Sequence, residues 1–208
     1  MSDSPLLVLI VFAGAAYLAK LWLDDLRAGR GGDPNPKALP GATTAPLAAV
    51  LAGVIGAVVL VGIETAGELA MGVSEEQTDI TAVFLLAMIG AGIIEEVIFR
   101  GYFVVTGKGR TALYLSILGF SLLFALLHYQ YYVEIPEGGI SEGLTLVLDS
   151  KTGWSLLLLF LNSLWFYTVR FFKWNPRHSL LPCFAAHIAS NVAVFGVKLA
   201  QGHVTGLY

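Results

Sequence analysis

Glu95-Glu96-Val97-Ile98-Phe99-Arg100 follows directly on Ile80–Ile94, a run without a single charged residue. An ionisable side chain at the end of such a run is costly at membrane depth, so it faces a protein interior or a water-filled cavity. Glu96 and Arg100 are four apart and share one helix face, where they can pair. Glu95 is turned about 100° away. Two acids beside one cation leave one carboxylate over, and that surplus is the first candidate for chemistry.

The rest of the chain supports a membrane setting. Hydrophobic residues make up 56% and charged residues only 13% of the 208, with a mean hydropathy of +0.75. Soluble domains carry roughly a quarter charged residues. The net charge of -3 gives no reason to expect a nucleic-acid partner. Cys183 is alone in an apolar segment, which leaves no intramolecular disulfide and no thiolate metal cage. The N-terminus, Met1-Ser2-Asp3-Ser4-Pro5, has no basic region, so the first apolar run is expected to be a retained helix.

A spanning helix needs about 20 mainly apolar residues. Six stretches meet that need: Leu6–Leu23, Ala45–Ile63, Ile80–Phe103, Ala112–Tyr132, Trp154–Phe172 and Leu180–Leu199. The expected fold is therefore all-α, a polytopic transmembrane bundle of about six spans. Arg27 to Gly41, with Gly31-Gly32-Asp33-Pro34-Asn35-Pro36, reads as a linker. No internal repeat is visible.

Basic residues sort between the loops. Lys20, Arg27, Arg30 and Lys37 follow span one, Arg100, Lys108 and Arg110 follow span three, and Arg170, Lys173 and Arg177 follow span five. The other side holds Lys151 and Lys198 with the acids Glu64, Glu68, Glu75, Glu76, Asp79, Glu134, Glu137, Glu142 and Asp149. The positive-inside rule then puts both termini outside and the basic loops in the cytoplasm.

Two further polar groups interrupt the spans. His128 follows Phe124 by one turn in Phe124-Ala125-Leu126-Leu127-His128, beside Tyr129, Tyr131 and Tyr132, which could form an interfacial aromatic belt. His187 and Asn191 share a face at i, i+4 among Ala185, Ala186, Ala189 and Ala193. Small residues there allow close helix approach, and interhelical hydrogen bonding alone would be a sufficient use for the pair. Taken together, the three groups supply what water attack on a peptide needs: a base, and donors for the developing oxyanion. Glu95 and the two histidines could also hold Zn²⁺ with an open water position, although no His-Glu-x-x-His run is present. As a proton relay, the same groups would suit an ion-coupled transporter. A catalytically inactive, immunity-type scaffold is the third alternative.

Glu-Glu-x-x-x-Arg at 95–100, Phe-x-x-x-His at 124–128 and His-x-x-x-Asn at 187–191, in this order, resemble the CAAX protease and bacteriocin-processing family of intramembrane proteases. Phe99-Arg100-Gly101-Tyr102 adds to the likeness, which covers roughly Val83 to Val197. Two N-terminal helices and a linker over 1–78 lie outside the likeness, which implies a protease domain over 79–208 with a four-helix catalytic core. It implies an endopeptidase acting on membrane-associated or lipidated protein or peptide substrates in the bilayer, in a prokaryotic inner membrane. Glu95 would activate water with help from His128, and His187 and Asn191 would bind the oxyanion. Glu96, Arg100 and Phe124 would support them. A metal-free site is favoured over zinc, because asparagine is a poor zinc ligand. The turn Phe171-Phe172-Lys173-Trp174-Asn175-Pro176-Arg177-His178 departs from the short Thr-Gly-Ser-Leu type expected of the family. Straight spans would keep Glu95 and His128 at opposite ends, so Gly101–Arg110 is expected either to continue the helix or to re-enter, and either would shift the registers.

Overall fold

Long apolar runs close their backbone hydrogen bonds within the helix, and these runs do so. The computed structural model describes residues 4–136, 139 and 143–208. Among them are six α-helices: α1 Pro5–Arg30, α2 Leu47–Met71, α3 Phe84–Glu95, α4 Arg110–Leu127, α5 Ser150–Phe171 and α6 Leu181–Gln201. The chain is an all-α membrane bundle, and five of the helices are long and apolar enough to cross a bilayer. α3 is the sixth and is short, but it runs straight into a π-helical segment, Glu96–Tyr102. Together they reach about 28 Å at helical rise, close to the thickness of the hydrocarbon core. A two-stranded antiparallel hairpin pairs β1, Val133–Glu134, with β2, Thr145–Leu146. Met1–Asp3, and Glu137 and Glu142 of the acidic side, lie outside the described residues.

Several expected boundaries move, each for a local reason. α2 continues beyond Ile63 through Glu64 and Glu68 and stops at Gly72, which takes the left-handed conformation (φ 72°). Those two acids are therefore helical, and Glu68 is buried and accepts a hydrogen bond from Gln77 (2.7 Å). Ile80–Val83 is not helical. It pairs with the C-terminal tail instead, the Ile80 N–H donating to the His203 carbonyl (2.9 Å) and the Thr205 N–H to the Ile80 carbonyl (2.8 Å). α4 ends at Leu127, and Tyr129–Tyr131 forms a 3₁₀ turn. Two cations assigned to basic loops are buried in helical segments. Arg100 is fully buried in the π segment, and Arg170 is buried inside α5.

Close helix contacts set the frame. α2 presents the small residues Ala49, Gly53 and Ala57 at four-residue spacing, and it packs on α5 and α6. A Cβ on Gly53 would stand 3.0 Å from the Pro182 carbonyl of α6. Gly56 and Gly67 lie under the indoles of Trp165 and Trp154 of α5. Each indole also donates to an α2 carbonyl, Trp165 to Gly53 and Trp154 to Glu64 (3.0 Å each). α1 packs on α3, where Gly90 meets Ala15. α3 packs on α6 at Gly92, whose Cβ would stand 3.1 Å from Ile188 Cγ1. That last contact brings the acids of α3 beside His187.

Candidate active site

The π segment is where the backbone leaves regular geometry, and it carries Glu96 and Arg100. π turns are rare and are often found at functional sites. Phe103 N–H donates to the Ile98 carbonyl (2.8 Å), a five-residue bond. The buried Tyr167 hydroxyl on α5 lies 2.8 and 2.6 Å from the Phe99 and Phe103 carbonyl oxygens and ties down the end of the wide turn. The chain then bends through residues 103–109 before α4 begins at Arg110. The helix thus continues only to Tyr102, and the rest of Gly101–Arg110 up to α4 is irregular.

Arg100 and Glu96 are both fully buried and pair at 3.1 Å between Nη1 and Oε1. Arg100 Nη2 donates to Ser163 Oγ (2.7 Å) and to the Ser163 carbonyl (3.2 Å), and Ser163 Oγ donates to Ser121 Oγ (3.1 Å). The guanidinium is boxed by aromatic rings: Phe124 at 4.7 Å, Tyr167 at 4.9 Å and Phe166 at 5.0 Å from centroid to Cζ. A cation removed from water gains from such ring faces. The pair therefore joins the π segment, α4 and α5.

His187 connects this pair to the spare acid. Its Nδ1 is 2.8 Å from Glu96 Oε1, and its Nε2 is 3.8 Å from Glu95 Oε2. Its ring stacks on Phe166 at 4.8 Å and 21°. Because Glu96 is held as a carboxylate by Arg100, Nδ1 donates and the ring orientation is fixed, as a carboxylate partner commonly does for a functional histidine. Glu95 Oε2 is buried with no hydrogen-bond partner, while 29% of the Glu95 side chain stays exposed.

His128 caps α4, its Nδ1 lying 2.8 Å from the Phe124 carbonyl. Donation from Nδ1 leaves Nε2 as the free ring nitrogen. Phe124 stands between the two imidazoles, its centroid 4.7 Å from His128 and 6.1 Å from His187. Asn191 donates from Nδ2 to the Met88 carbonyl (2.7 Å), an α6–α3 bond that leaves its second N–H unspent. The expected residues thus fall into two groups. Glu95, Glu96, Arg100 and His187 are in direct contact, and His128 and Asn191 flank them. The nearest imidazole to Glu95 is His187, where the sequence suggested His128.

His128, His187 and Asn191 line a cavity of about 560 Å³, together with Phe124 and Phe166. It runs to a mouth at the acidic end, past Glu64, Asp79, Asp149 and Lys151. Asp149 caps α5 there, accepting from the Thr152 N–H (2.7 Å), and this bond holds its carboxyl below the usual range. Glu95 is not among the residues lining the cavity, and its Oε2 lies 3.8 Å from His187 Nε2. Among the described residues no three His, Cys, Asp or Glu side chains converge closely enough to hold a metal ion. A catalytic zinc needs about three protein ligands, which the described residues do not bring together.

Sequence reading passed over α5. Asn162 and Ser163 interrupt its apolar run just as the other polar groups interrupt theirs, and Asn162 lines the same cavity. The polar pair inside a span was the available signal.

A family model described as type II CAAX prenyl endopeptidase Rce1-like matches residues 77–193, more than half of the chain. The match takes in the π segment, both histidines and Asn191. No curated protein and no solved structure matches the chain.

Proposed function

Because the chain belongs to the type II CAAX prenyl endopeptidase Rce1-like family, we propose that it hydrolyses peptide bonds of membrane-associated or prenylated substrates inside the bilayer, with Glu95 as the base. The observation that carries this reading is the unpartnered Glu95 Oε2, 3.8 Å from a ring nitrogen of His187 whose other nitrogen is fixed by Glu96. A water in contact with both Glu95 and His187 gives its proton to Glu95 as its oxygen bonds to the peptide carbonyl carbon. The carbonyl electrons move onto oxygen, where the free N–H of Asn191 is the available donor. Collapse breaks the C–N bond, and the leaving amine takes the proton back from Glu95. Met88, Phe124 and Phe166 line the cavity with the two histidines and Asn191 and lower the local dielectric there, where each donor counts for more. His128, which lines the same cavity with its Nε2 free, is a second group able to accept a proton during the cycle. The reading requires no resident metal.

The test is Glu95→Gln, which keeps the shape and removes the base. Cleavage of an internally quenched peptide ending in a prenylated Cys-aliphatic-aliphatic-X sequence should fall to background, while the melting temperature in detergent stays within a few degrees. Wild-type turnover by this variant would end the assignment.

A further inference from the structure

We infer that Asn162 is a substrate-binding residue, its side-chain carbonyl accepting a backbone N–H of the bound peptide about two residues from the cleaved bond. Asn162 is only 6% exposed, and its Oδ1 is buried without a hydrogen-bond partner. A buried amide oxygen is costly when unpaired, so each such atom calls for an explanation. The neighbouring Ser163 is spent on Arg100 and Ser121. Asn162, turned about 100° from it on the helix, lies instead in the wall of the cavity that holds His128, His187 and Asn191.

Its position gives the register. Phe166, which stacks on His187, follows Asn162 by one turn on α5. That turn is about 6 Å of rise. An extended peptide advances about 3.3 Å per residue, so a chain leaving the reacting centre toward the mouth passes Asn162 about two residues later. Thr152, Ser155 and Leu159 continue the same face of α5 toward the mouth. Of these, Thr152 is committed to the Tyr131 carbonyl (3.0 Å). Bound peptides in clefts pair their main-chain groups with the wall, and that pairing positions the scissile bond without taking part in the chemistry.

The inference rests on the endopeptidase reading above, and its test separates the two. The enzyme in lipid nanodiscs is given the quenched prenylated peptide and a series of the same peptide N-methylated at one position at a time. Asn162→Ala should raise KM about ten-fold, with kcat falling less than KM rises. One N-methylated peptide, within about two residues of the cleaved bond, should lose about ten-fold in kcat/KM with the wild-type enzyme and almost nothing further with Asn162→Ala. Asn162→Leu replaces the alanine variant if that one fails to fold, and the wild-type N-methyl series needs no variant at all. Losses that add in full at every position, or an unchanged KM, would overturn the assignment of Asn162. Anisotropy binding of the peptide to Glu95→Gln enzyme, with and without Asn162→Ala, reads Asn162 without turnover. An active Glu95→Gln enzyme would instead remove the catalytic reading and leave the Asn162 result standing.

Discussion

Glu96 accepts from His187 and pairs with Arg100 while fully buried. Its carboxylate therefore serves the fold and the site at once. Removing one member of a buried ion pair leaves the other uncompensated, at a cost of about 3–5 kcal/mol. Arg100→Met should therefore destabilise the protein by about that much, and the double variant Glu96→Gln/Arg100→Met should recover a large part of the loss. The double variant should still turn over far more slowly than wild type, because the carboxylate that fixes His187 is gone. Denaturation in detergent beside peptide turnover makes the comparison. A double variant with wild-type activity would show that His187 does not depend on Glu96 for its orientation. At this scale the sequence was largely legible: i, i+4 spacing pairs Glu96 with Arg100 and singles out Glu95. The two contacts of His187, 91 positions from Glu96, were not legible, because nothing local encodes a packing partner.

What brings His187 to both acids is the approach of two helices. A Cβ on Gly92 would already stand 3.1 Å from Ile188 Cγ1 and 3.3 Å from the Ile188 backbone nitrogen. Gly92→Leu cannot be seated without moving α3 away from α6, which lengthens the Glu95–His187 and Glu96–His187 contacts together. A misplacement of about 1 Å can cost on the order of 100-fold in rate, so kcat should fall by about that factor, with Gly92→Ala affected less. Wild-type turnover in Gly92→Leu would show that this spacing does not set the site. Six helices could be read from hydropathy, but the π segment could not. Its apolar residues read as continued helix, and the groups that contact the wide turn, the Tyr167 and Ser163 hydroxyls of α5, lie far away in sequence. The start of span three was misread for a similar reason. Ile80–Val83 finds its backbone partners in the tail at residues 203–207, far away in sequence.

Across the whole molecule, the two ends of the bundle differ in charge even after Arg100 and Arg170 are withdrawn into the interior. The linker after α1 folds onto the turn between α5 and α6. There Leu180 N–H donates to the Gly41 carbonyl (3.1 Å) and Arg177 Nη1 to Thr44 Oγ1 (2.8 Å). The cations Lys37, Lys173 and Arg177 belong to these segments, and Arg27 and Arg30 to the last turn of α1 beside them. At the other end, Lys198 donates to the Thr78 carbonyl, and Asp79 faces His203 beside the cavity mouth. Short-loop Lys and Arg residues set orientation, so the basic end should face the cytoplasm and the cavity should open away from it. Cys183 is fully buried and gives a silent background for single-cysteine labelling. In intact bacterial cells a membrane-impermeant maleimide should label Glu75→Cys at once and Lys173→Cys only after permeabilisation, since both positions are exposed. The reverse pattern would invert the molecule and place the cavity mouth in the cytoplasm. In that case the peptide would reach His187 from the compartment in which proteins are made, and the acidic rim would be a cytoplasmic surface that the charge rule misjudges.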